Sequence, residues 1–245
     1  MSTVTELKQA LRGLSAAELE SIADWLDAIV ADSRHRARQV REAQPEYLSD
    51  EEPLFMTWEE YLAFEEQSPH RHEYINGTVY AMSGASLAHN RIARELVIAF
   101  GAHLKGGPCE PFFLEAKLEI RAGTDRIMYY PDVMVSCRPE DRTDQVVRNP
   151  KLVVEILSKS TQHIDRREKA MTYQRVQAIE EYVLITQSQP RIIVHRRAEG
   201  WRPMVYASID AQVELRSIAL QIPLAQIYAG TLGTDIAHEQ RTRLG

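Results

Sequence analysis

Two carboxylates stand in runs that are otherwise apolar, and no other feature constrains the fold as much. In YPDVMV (130–135), Val133 and Val135 share one strand face, while Asp132 shares the other with Met134. In LVVEIL (152–157), Leu152, Val154 and Ile156 share one face, and Glu155 lies between Val153 and Leu157 on the other. If both strands are central, each acid enters a partly buried space, where an ionised carboxylate needs a cation or strong hydrogen bonds. Two carboxylates converging on one point suit a hard divalent ion with oxygen ligands, Mg2+ or Mn2+. Such an ion polarises a phosphoryl oxygen and lowers the pKa of water. The plainer account is that Asp132 opens a strand after Pro131 and Glu155 pairs with a nearby arginine.

The 245 residues allow one or two domains at about 150 residues each. Hydrophobic residues at 44% and charged residues at 26% exclude disorder as a whole-chain description. No apolar run approaches the ~20 residues of a membrane span, and MSTVTELKQALRG has no apolar signal core. Cys109 and Cys137 form no CxxC pattern, which argues against a disulfide framework and a zinc cluster. A reducing cytoplasm, hence a cytoplasmic protein, fits that usage. The net charge of −6 gives no global attraction to nucleic acid, so any contact with DNA rests on local patches.

The chain divides into a helical N-terminal appendage and linker over 1–50, a main domain over 54–232 and a polar tail over 233–245. In the appendage Ser15 and Glu18 form a capping-box signature ahead of Leu19, Ile22, Leu26, Ile29 and Val30. That stripe cannot bury itself alone, so it docks on the main domain or mediates self-association; a homodimer is expected. In the main domain Thr57 caps a helix carrying Trp58, Tyr61, Leu62 and Phe64. Asn76-Gly77 then joins two β-prone runs as a hairpin. A helix over 86–104 follows, with Ile92, Leu96, Ala99, Phe100 and His103 along one side. Strands are expected over 111–121 and 126–136, paired through Ala122–Asp125, and a third over 151–158. A helix over 164–177, the strand EEYVLI, and two short strands near 191–197 and 201–208 complete the pattern. It is an α+β fold with a mixed central sheet flanked by helices.

Asp165, Lys169 and Tyr173 are spaced i, i+4, i+8 and share a helix face, which brings Lys169 near Glu155 if that helix packs beside the strand. There an ammonium orients water or stabilises charge on phosphate; alternatively Asp165 and Lys169 form a surface pair. Arg166, Arg167 and Arg175 make a basic surface beside Lys169 able to follow a phosphate backbone, and Arg34, Arg36, Arg38 and Arg41 make another. His89 could meet a phosphate, position a water or simply sit near a helix start. Ser158, Ser160 and Thr161 read as helix caps, since no G-x-S-x-G setting surrounds them. No P-loop or G-x-G-x-x-G is present.

The ordered series HEYINGTVYAMSG (72–84), His89, YPDVMVS (130–136), LVVEILSKST (152–161), Asp165, Lys169, Tyr173 and EEYVLI covers about two thirds of the chain. It resembles the PD-(D/E)XK nuclease superfamily and, within it, the Uma-two group of restriction-endonuclease-like proteins. The resemblance implies a restriction-endonuclease-like core that binds Mg2+ (or Mn2+) and cuts phosphodiester bonds. By the same resemblance Asp132 and Glu155 are metal ligands, and Glu73 is an upstream acid that helps complete the site. The superfamily pattern places lysine two residues after the glutamate, where this chain has Leu157. Lys169 is then the migrated replacement, with Lys117 its rival, although Glu115 and Glu119 beside Lys117 suggest a solvated stripe. The expected function is metal-dependent cleavage of DNA. The rival accounts are a catalytically silent nuclease fold that binds nucleic acid or a partner, and an adaptor acting through its N-terminal helix.

Overall fold

Thr57 opens the first of the described helices by a reciprocal cap. Its hydroxyl accepts from Glu60 N at 3.3 Å while its own N–H donates to Glu60 Oε2 at 2.8 Å. The computed structural model describes residues 54–82, 84–142, 146–157 and 168–231. The N-terminal appendage, the polar tail, Ser158, Ser160, Thr161, Asp165, Arg166 and Arg167 lie outside these.

A two-residue strand, β1 (Leu54–Phe55), precedes this helix, α1 (Trp58–Gln67). β2 (His72–Ile75) and β3 (Thr78–Ala81) follow as the expected hairpin. Asn76 and Gly77 both take positive φ, 49° and 101°, as a type I′ turn requires. Then come α2 (Leu87–Leu104), β4 (Glu110–Phe113), β5 (Lys117–Ala122), β6 (Asp125–Tyr129), β7 (Val133–Ser136) and β8 (Val146–Val147). β9 (Pro150–Leu157), α3 (Ala170–Arg175), β10 (Glu181–Thr186), β11 (Ile192–Arg196) and β12 (Pro203–Tyr206) complete the central part. β13 (Gln212–Leu215), β14 (Leu220–Pro223) and α4 (Leu224–Ile227) close the described chain.

The expected single sheet is two. One has the order β1-β3-β2-β6-β5-β8, the other β12-β11-β10-β9-β7-β4, and β13 and β14 form a separate ribbon. Both large sheets are mixed: β5 runs parallel to β8 and β9 parallel to β10. The runs 111–121 and 126–136, expected as two continuous strands, are each broken. Their hairpin does form, but it folds over, so that its tip (β5–β6) lies in the first sheet and its base (β4–β7) in the second. The two registers differ by one residue, a bulge on the side of Leu114, whose φ is +62°. Asp132 stands on the other side of the same bend.

Three apolar layers follow from this. Val133, Val135, Leu152, Val154 and Ile156 face Ile92, Leu96 and Phe100 of α2. On the opposite side Met134, Val153, Leu157 and Leu184 meet Leu118, Ile120, Ile127 and Tyr129 of the first sheet. Tyr61 of α1 covers Tyr74, Val79 and Met128. The strand-face assignment of residues 133–135 and 152–157 therefore holds. Glu119 does not lie on a solvated stripe: it is buried, with Arg121 and Arg148 on its carboxylate. Cys109 and Cys137 are joined in a disulfide, one step beyond the Glu110–Ser136 pair of β4 and β7. Neighbouring strands brought them together, which their sequence spacing could not indicate.

Burial raises the phenols of Tyr61, Tyr129, Tyr130 and Tyr173 well above the ordinary range and lifts that of Tyr228 to about 12. A raised folded pKa contributes stability that is complete below the unfolded value, near 10, and is lost as pH climbs toward the folded one. Each such tyrosine costs about 1.4 kcal/mol per pH unit in that window. Urea midpoints should accordingly hold from pH 8 to 9 and drop steeply between 10 and 11. A flat profile would contradict this.

Candidate active site

β9 carries Glu155 toward the layer between the two sheets, flanked by Val153 and Leu157, with only 4% of its side chain exposed. β7 and β9 are antiparallel with Val133 opposite Val154. Asp132 is the residue just before the end of that ladder. Asp132 Oδ2 accepts from the backbone N–H of Ile156 at 2.6 Å, so its carboxylate sits against the residue after Glu155. Oδ1 lies 2.8 Å from His89 Nε2, placed by the first turn of α2. An ionised carboxylate only accepts, so that ring nitrogen carries the proton.

Lys169 is not half of a surface pair. Its ammonium, 8% exposed, lies 2.8 Å from Glu73 Oε1 and 3.3 Å from Glu155 Oε1. It also stands over the Tyr129 ring at 5.1 Å. Tyr173, one turn further along α3, donates its hydroxyl to Glu155 Oε1 at 2.8 Å. With its phenol held far above the usual range by burial, it is a permanent donor. Glu73 on β2 also accepts from Tyr130 N at 3.4 Å. Glu73, Lys169, Glu155 and Tyr173 are thus linked side chain to side chain, and the His89–Asp132 pair adjoins them through the backbone N–H of Ile156. Lys117 lies elsewhere, lining a cleft with Phe113 and Arg71. Arg175 ends α3 with an exposed guanidinium 2.6 Å from Asp125.

The donor chemistry fits a hard cation. Asp132, which accepts from the N–H of Ile156, and Glu155, the residue before it, both offer carboxylate oxygens, the donors a hard cation takes. Among the described residues no group of three or more His, Cys, Asp or Glu side chains is arranged to hold a metal by itself. Mg2+ commonly uses only one or two carboxylates and completes its shell with water and phosphate oxygens. The position that the superfamily pattern gives to lysine is Leu157, which is 4% exposed in the intersheet core. An ammonium there would be desolvated among apolar side chains, whereas α3 delivers Lys169 from the side.

Sequence reasoning missed the support behind Glu73. Glu65, four residues after Tyr61 on the buried side of α1, accepts from His72 N at 3.0 Å and from Tyr130 hydroxyl at 2.5 Å. His72 Nδ1 lies 2.9 Å from its second oxygen. The signal available was the i, i+4 spacing of Glu65 with an aromatic residue on the core face of the helix.

Residues 58–225 match the family profile described as "Uma2: Putative restriction endonuclease", more than half of the chain. An uncharacterized protein of Synechocystis sp., slr1290, is 37% identical over 175 residues, covering 70% of this chain and 90% of that one. A second from that organism, sll1609, is 33% identical over 135 residues, covering 54% and 75% respectively. The crystal structure of a "putative nuclease belonging to DUF820" from Anabaena variabilis shares the fold, with a TM-score of 0.59 at 19% identity. That likeness covers 72% of this chain and 99% of the other. Among the described residues, no helix is long and apolar enough to cross a membrane.

Proposed function

This chain belongs to the Uma2 family, and from that premise we propose that it is a metal-dependent endonuclease that hydrolyses phosphodiester bonds in DNA. The observation that carries the proposal is the approach of Asp132 to the chain at Glu155, with Lys169 between Glu155 and Glu73. A bound Mg2+ or Mn2+ would polarise the phosphoryl oxygen and lower the pKa of the attacking water. Asp132 and Glu155 would hold the ion. His89 keeps the Asp132 carboxylate oriented, and Tyr173 does the same for Glu155. Lys169 sets its positive charge where negative charge grows on the phosphate. Glu73 holds that ammonium from the other side. Arg175, at the exposed end of α3, supplies a contact for the phosphate backbone.

The purified protein should nick supercoiled plasmid with Mg2+ or Mn2+ and stop on addition of EDTA. Lys169→Ala should slow nicking about 100-fold, the scale of one preorganised charge contact, while Lys117→Ala stays within about twofold, a change of some 0.4 kcal/mol. Equal loss in both variants would move the catalytic charge to Lys117. Retarded migration of DNA in a gel, with no cutting under any divalent ion, would favour a silent binding module instead.

A further inference from the structure

A cleft of about 1060 Å³ opens between the end of α1 and the bend that joins β4 to β5, with Tyr130 in its lining. One side is apolar and partly wet: Phe112, Phe113 at 39% exposure and Leu114 at 67%. Leu114 takes a left-handed φ of +62°, a conformation that costs a non-glycine residue of order 1 kcal/mol and persists only where neighbours impose it. Arg71 imposes it by donating to the Leu114 carbonyl at 2.8 Å, and its guanidinium lies 6.0 Å from the centre of the Tyr130 ring.

Tyr130 is the inner wall of this cleft and also part of the proposed active site. Its hydroxyl is fixed by the buried Glu65, its N–H faces Glu73, and Asp132 follows two residues later. Tyr130 therefore connects the cleft wall to Glu73 and to the chain that carries Asp132. The lining is mixed in charge, with Arg71 and Lys117 as well as Glu66 and Glu115. A balanced lining offers little to a polyanionic backbone. A lining that combines Phe112, Phe113 and Tyr130 with hydrogen-bond donors and acceptors suits a flat, neutral group that hydrogen-bonds at its edge.

We propose that this cleft receives an unstacked nucleobase next to the scissile phosphate, so that the preferred substrate is nucleic acid with an unpaired base beside the cut. The inference rests on the endonuclease reading and deepens it. Base stacking on an aromatic side chain is commonly worth a factor of about 10 or more in affinity, and a base already unpaired is the least costly to extrude.

The test is binding of the full-length Glu155→Gln protein to two oligonucleotide duplexes, one with a bulged 2-aminopurine and one fully paired around the same base. The bulged duplex should bind about 10-fold more tightly, with its fluorescence quenched by stacking. Phe113→Ala should erase the preference and the quench while leaving affinity for the paired duplex unchanged, and Phe113→Tyr should keep both. Equal affinity for the two duplexes, or a preference that survives Phe113→Ala, would overturn the base site. Plasmid nicking by the wild type would in that case still stand. If no oligonucleotide binds and no plasmid is nicked, the endonuclease reading falls as well.

Discussion

Asp132→Asn and Glu155→Gln are each expected to lower plasmid nicking by about a thousandfold or more, with little change in fold. The magnitude follows from the chemistry proposed for them. Charge stabilisation by a bound divalent ion contributes several kcal/mol, and about 4 kcal/mol corresponds to three orders of magnitude in rate. The substitutions are close to isosteric and keep part of the local hydrogen bonding. An asparagine carbonyl at position 132 can still accept from Ile156 N–H, and a glutamine carbonyl at 155 can still accept from Tyr173. What is lost is the negative charge that draws a hard cation. Nicking rates with circular dichroism on the same preparations check this. A folded variant that cuts like the wild type would remove that acid from the catalytic set.

The second large effect concerns stability. Glu181 and Arg196 stand directly opposite each other on β10 and β11, with side chains 2% exposed and Oε1 2.8 Å from Nε. Glu181 also accepts from Arg216 N at 3.1 Å, Ser217 N at 2.9 Å and the Ser217 hydroxyl at 2.5 Å. Arg196 reaches the Glu214 carbonyl at 2.6 Å. This pair therefore ties the β13–β14 ribbon to the sheet that carries Glu155. Removing one member of a buried pair costs roughly 3–5 kcal/mol, and because Arg196 keeps Glu199 at 3.3 Å the loss here belongs at the lower end, about 3 kcal/mol. Glu181→Ala should lower the urea-derived stability by that amount and Tm by about 10 °C. Because the partners are in contact, the double variant with Arg196→Met should lose much less than the sum of the two single losses. A loss below about 1 kcal/mol for Glu181→Ala would mean the pair is worth no more than an exposed one.

Local chemistry made much of the fold legible. The Thr57 cap, the Asn76-Gly77 turn and the apolar runs of β9 and β10 each act over a few residues, and each element is present. The folded-over hairpin was not legible, because PFFLEAKLEIR alternates straight through it. Leu114 gives no warning that it will take positive φ, since Arg71, 43 residues away, holds it there. The burial of Glu119 and Glu181 was hidden for the same reason: their partners include Arg148 and Ser217, distant in sequence.

The candidate site divides along the same line. Asp132 and Glu155 stand out as acids in apolar strands, and Lys169 with Tyr173 as a helical pair, and the fold gathers these four. Glu73 entered through family resemblance and meets Lys169, while His89, open to several readings from sequence, meets Asp132. The Glu65–Tyr130 support gave only the faint signal of one acid on the core face of a helix.

Titration with Mn2+ followed by electron paramagnetic resonance, which separates free from bound ion, measures the cation directly and needs no substrate. The wild type should take up Mn2+ and the combined Asp132→Asn, Glu155→Gln protein should not, with Lys169→Ala still binding. Unchanged uptake by the doubly substituted protein would contradict the assignment of these two acids as its ligands.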